Sequence, residues 1–143
     1  MDLHIDDFYV DSARCMVSLY QSFPRKSTLY MDDFVGVLER DEVGLPHPRQ
    51  LQCLSTLIWL GNEGHLRYMD TIGYDALDQC ELTQAAFLRL SSTQHPFNSE
   101  LDSALPRSVF RAQGSLIQQM RRHLKSRDTE KLIPVVRFFL GEH

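Results

Sequence analysis

The stretch LSTLIWLGNEGHLRYMD, residues 54–70, changes its periodicity halfway, and that switch constrains the fold more than any other feature. Up to Leu60 it is densely apolar, as a buried helix is. Gly61-Asn62-Glu63-Gly64 then interrupts. Leu66 and Tyr68 next alternate with Arg67 and Met69, the period-two pattern of a strand with one buried face. Gly61 or Gly64 can take the positive φ that ends a helix. The chain must therefore turn a helix-to-strand corner here, with both elements feeding one core.

The helix entering that corner is expected over residues 48–60, with Pro48 at its first position. Leu51, Leu54, Leu57 and Ile58 share its inner side. Arg49, Gln52, Ser55 and Thr56 share its outer side, and Trp59 falls on the border. After the corner, residues 71–78 read as a loop around Gly73. Residues 79–82 read as a returning strand with Cys80 and Leu82 inward. Thr83 is placed to cap a helix presenting Ala86, Phe87 and Leu90.

Two more helices are expected upstream. Over residues 6–22, spacing at about 100° per residue gathers the apolar side chains, Phe8, Met16 and Leu19 among them, on an arc about 220° wide. Asp7, Asp11, Arg14, Ser18 and Gln21 form a narrow polar stripe. A one-sided surface helix needs an arc of little more than about 100°. This helix therefore calls for cover from two directions. Ser27 or Thr28 can cap a short second helix with Met31, Phe34 and Val35 inward and Asp32, Asp33 and Glu39 outward. Residues 41–48 form a turn rich in Gly and Pro.

The resulting order is helix, helix, helix, strand, loop, strand, helix. It resembles the winged helix-turn-helix superfamily over about residues 8–92, carried by CLSTLIWLGNEGHLRYMD and CELTQAAFLRL. The expected fold is mainly α with a small β-hairpin. It comprises a winged helix-turn-helix domain at 1–92, a polar linker at 93–106 and an amphipathic helical hairpin at 107–143. In that hairpin Phe110, Ile117 and Met120 share one face of the first helix, and Arg111, Arg122 and Lys125 the other. Asp128 caps the second helix, which carries Phe139, and Pro134 is expected to kink it. The apolar sides of the hairpin suit the uncovered half of the first helix, within one chain or across a dimer.

Charge sharpens the functional question. Residues 1–92 hold seven Lys/Arg and fourteen Asp/Glu, a balance of −7, whereas residues 93–143 hold eight and five, a balance of +3. No stretch approaches the roughly 20 apolar residues of a membrane span. The acidic start, MDLHIDD, lacks the pattern of a signal peptide. A cytoplasmic, non-membrane protein is the expectation. Cys15, Cys53 and Cys80 are odd in number, form no CxxC and sit in apolar surroundings, which suits small buried side chains. A zinc set of Cys53, Cys80, His47 and His65 matches no usual ligand spacing. No phosphate loop, nucleophile elbow or zinc-helix motif is legible, so no catalytic residue, metal or cofactor is assigned.

The resemblance implies a dimeric DNA-binding regulator. In that docking Arg49 and Gln52 read bases, Gln50, Ser55 and Thr56 support them, Arg25 and Lys26 meet phosphate at the start of the second helix, and Arg67 serves at the base of the wing. The acidic balance of 1–92 argues for the alternative, a protein-interaction module without DNA contacts. Dimer or partner contacts would then come from Trp59, Phe8, Met16, Phe110, Ile117 and Phe139.

Overall fold

A computed structural model describes residues 2–97 and 105–142. The first helix, α1 (Leu3–Ser22), touches α3 (Pro48–Asn62), the strand β4 (Ala76–Leu82), α6 (Leu116–Lys125) and α7 (Thr129–Leu140). Its wide apolar arc is thus covered by its own chain, with α6 and α7 supplying the cover that the sequence left open. Ala13, Cys15, Met16 and Leu19 are sealed in the core with Ile117, Met120, Val135 and Phe139. Asp11, expected on the polar stripe, is instead fully buried.

The second correction concerns residues 27–30. They form a strand, β1 (Ser27–Tyr30), and the short helix α2 (Met31–Val35) starts after it without a side-chain cap. Leu29, a buried position facing Leu77 of β4, wins over the capping tendency of Ser27 and Thr28. Thr28 Oγ1 donates to Asp78 across the pair at 3.0 Å. The sheet is antiparallel in the order β1-β4-β2, where β2 is Leu66–Arg67. A further strand, β3 (Asp70–Ile72), also pairs with β4, so residues 70–78 form a hairpin turned at 73–75 and not a loop. Gln79, with φ of 51°, marks an irregularity in β4 that lets both Leu77 and Cys80 face inward.

At the helix-to-strand corner the two glycines have different tasks. The helix runs past Leu60 to Asn62, and Gly64, with φ of 82°, ends it as the His65 N–H bonds back to the Leu60 carbonyl at 2.9 Å. Gly61 lies inside the helix, and its lack of a Cβ lets the Tyr68 ring approach, 2.9 Å from where a Cβ would stand. Thr83 caps α4 (Gln84–Ser91) by accepting from the Ala86 N–H, and donates to the Gly64 carbonyl at 2.8 Å.

Of the 93–106 linker, residues 98–104 lie outside the described residues. The first C-terminal helix is two helices, α5 (Arg107–Gly114) and α6, broken at Ser115, whose extended backbone follows a buried Gly114. The Leu116 N–H at the break bonds to the Ser92 carbonyl at 2.9 Å, fixing α6 against the end of α4. Asp128 caps α7 by accepting from the Lys131 N–H, and Pro134 lies inside that helix. No helix among the described residues is long and apolar enough to cross a membrane.

Candidate functional site

The edge of α3 and the start of α1 form the surface that holds the expected base readers Arg49 and Gln52 and the aromatic residues Trp59 and Phe8. Arg49, just inside α3, turns back to Asp11. Its two terminal nitrogens donate to the two carboxylate oxygens at 2.6 and 2.7 Å, and Asp7 stands 3.6 Å from Nε. The hydrogen bonds that Arg49 donates to Asp11 raise its pKa above the ordinary value. The neighbouring Cys53 thiol is pushed up to about 12, first by burial and then by the Asp11 charge. A fork-to-fork pair of this kind is strong and directional.

Gln50 is buried and donates to the Tyr74 carbonyl at 2.8 Å and to Asp75 at 3.2 Å. Asp75 also accepts from Arg40 at 2.5 Å, and its carbonyl accepts from the Met31 N–H at 2.8 Å. The β3–β4 turn is thereby tied to the starts of both α2 and α3. Gln52 donates to the His4 carbonyl of α1 at 2.6 Å. Thr56 is buried, contrary to its expected outer position. Ser55 is exposed.

Arg25 and Lys26 are exposed ahead of β1, and not at the open end of α2. Arg67 is exposed on β2, 3.6 Å from Glu81 across the pair. Because β1 and β2 flank β4, these cations sit at opposite edges of the sheet. Arg49, Gln50 and Gln52 come together on α3. The three outlying cations do not join them there.

Among the six residues proposed for contacts, Met16, Ile117 and Phe139 are each 1% exposed, inside this chain's own core. Phe8 and Phe110 are half-buried. Trp59 is 40% exposed and stands edge-on to Phe8, with ring centroids 5.3 Å apart. Leu3 and Ile5 of α1 are also exposed.

What remains open on α3 is a stripe at helical spacing, in which Pro48, Ser55, Trp59 and Asn62 are exposed and Leu51 and Ile58 are half-buried. Its N-terminal end opens into a groove of about 540 Å³ walled by Leu45, Pro46, Pro48, Leu51 and Tyr74. Sequence reasoning saw only a turn at residues 41–48 and missed this groove. The run Val43-Gly44-Leu45-Pro46, with two large apolar side chains in a turn, was the available signal; both are exposed.

Cys15, Cys53 and Cys80 are buried free thiols. No group of three or more His, Cys, Asp or Glu is placed to hold a metal ion among the described residues. On the C-terminal helices, Arg107, Arg111, Arg122, Lys125 and Arg127 are exposed. None of the five is paired with a carboxylate among the described residues. No known protein family, curated protein or solved structure matches the chain.

Proposed function

We propose that this protein is a non-enzymatic protein-interaction module of winged-helix type whose contact surface is the open stripe of α3. The element order through β4, with the antiparallel sheet order β1-β4-β2, supports the winged-helix reading. One observation carries the choice of a protein partner. The α3 side chains suited to base readout are already bonded within the chain: Arg49 to Asp11, Gln50 to Tyr74 and Asp75, and Gln52 to His4. The stripe they leave is mixed, with Pro48, Trp59 and the half-buried Leu51 and Ile58 beside Ser55 and Asn62, and carries no cation. A groove-reading helix needs free hydrogen-bonding side chains and nearby positive charge. A partly apolar stripe with a border tryptophan suits a protein surface. Exposed Asp2, Asp6 and Glu63 favour a partner that is apolar at its centre and basic at its rim.

A dimeric DNA-binding regulator is the second reading. The exposed cations of α5 and α6, which meet no carboxylate among the described residues, favour it, because such a surface suits a phosphate backbone. In that reading Arg49 must leave Asp11 to reach a base. Binding to sheared genomic DNA from the source organism, at low and near-physiological salt, separates the two. The module predicts no enriched fragment at either salt, and loss of a captured partner on Trp59→Ala. Enrichment of a few inverted-repeat fragments that survives added salt would overturn it.

A further inference from the structure

The ends of α4 and α7, the start of α6 and the segment following α4 meet around a cavity of about 300 Å³. Leu116, Phe138 and Phe139 give it apolar walls, Ser92 and Gln94 add polar groups, and Arg89 supplies a cation. His95 also lines it and is neutral. Its Nε2–H donates to the Gly114 carbonyl at 2.6 Å, its Nδ1 accepts from the Phe97 N–H at 3.2 Å, and burial lowers its pKa. Among the described residues, no Asp or Glu contributes to the lining.

Arg89 differs from the other arginines of the N-terminal part that reach a carboxylate, namely Arg40, Arg49 and Arg67. Its partners are all uncharged. It donates to the Phe139 carbonyl at 3.0 Å, to His65 Nδ1 at 3.0 Å and to the Ala85 carbonyl at 3.4 Å, and it lies over the Phe139 ring at 4.7 Å. His65 is able to accept because it is neutral. Burial, with help from the Arg89 charge, takes its pKa down to about 4. Three of the five guanidinium N–H groups are thus engaged. Burial lowers the Arg89 pKa, and no carboxylate among the described residues pairs with it. A half-buried cation whose acceptors are all neutral, with two N–H groups left at the edge of a partly apolar cavity, suits an anion.

We propose that this cavity binds a small carboxylic acid with an apolar body, its carboxylate on Arg89 and its body against the half-open Phe138 ring. The size lies at the lower end of small-ligand sites, which suits a single ring or a short acyl chain. The site is separate from the α3 stripe and does not depend on what that stripe binds.

The test is calorimetric titration of the full chain with phenylacetate, hexanoate, the uncharged phenylacetamide and inorganic phosphate. One of the two acids is expected to bind saturably at one site, and at least about tenfold more tightly than the amide or phosphate. Arg89→Gln should abolish that binding and Arg89→Lys should retain part of it. Ser92→Leu, which crowds the cavity and keeps the charge, should weaken it. The wild-type comparison of acid with amide needs no variant, so a poorly folded Arg89→Gln protein does not spare the proposal. Equal affinity for phenylacetate and phenylacetamide would overturn it. So would no binding of either acid, preference for phosphate, or binding unchanged in Ser92→Leu.

Discussion

Replacing Arg49 by alanine separates a structural arginine from a base reader. Asp11 is fully buried, and both of its carboxylate oxygens accept from Arg49, at 2.6 and 2.7 Å. The Arg49 side chain retains 24% exposure, so the carboxylate bears most of the desolvation. Removing one partner of a buried pair leaves an uncompensated charge and typically costs about 3–5 kcal/mol. That is a large part of the roughly 5–15 kcal/mol that holds a domain folded. Arg49→Ala should therefore lower the unfolding free energy by about 3 kcal/mol or more. Asp11→Leu with Arg49→Met replaces the pair by apolar groups and should lie within about 1 kcal/mol of wild type. Urea unfolding of both variants and the two single changes completes a cycle, in which contacting residues couple by about 0.5–3 kcal/mol. If Arg49→Ala unfolds within about 0.5 kcal/mol of wild type, as a surface substitution does, the reasoning fails. Arg49 is then a free surface side chain, available to a base.

Two further predictions follow from the packing. Because the His65 pKa falls from 6.5 to about 4 on folding, the unfolded chain takes up the proton first as pH drops. Stability should be level above pH 6.5 in this respect and decline by about 3 kcal/mol toward pH 4; urea midpoints across that range, with His65→Gln flattening this component, check it. Gly61→Ala should not deliver the gain of about 1 kcal/mol that alanine gives in a helix, because its Cβ meets the Tyr68 ring at 2.9 Å. Thermal unfolding should show Gly61→Ala below wild type, with Tyr68→Leu restoring it in the double variant.

The features legible in the sequence are those fixed by neighbours along the chain. Pro48 at the start of α3, Thr83 and Asp128 as caps and the glycine-ended corner all act within a few residues, and all stand in the structure. The strand at Ser27–Tyr30 was not legible, because four residues carry almost no period and their pairing partner is β4, some fifty residues on. Nor was the burial of Asp11. A carboxylate at a polar helical position reads as solvated unless its partner is known, and Arg49 is 38 residues away. The break at Ser115 follows Gly114, a weak point in an otherwise amphipathic pattern, and its place is held by the bond from the Leu116 N–H to the Ser92 carbonyl, a partner distant in sequence. The site suffered for the same reason. Helical spacing put Arg49, Gln52 and Thr56 together on an outer side, but the hydrogen bonds of Arg49 and Gln52 to α1 and the burial of Thr56 depend on tertiary packing. Arg89 gave no local signal, since its neutral acceptors come from His65 and α7.

The most direct test of the central claim is a photo-crosslinking amino acid at Ser55, the exposed centre of the α3 stripe, activated in cells of the source organism. The account predicts a discrete protein adduct, lost when Trp59→Ala is introduced alongside. An adduct with nucleic acid and none with protein would contradict it and would place the stripe of α3 in a groove of DNA.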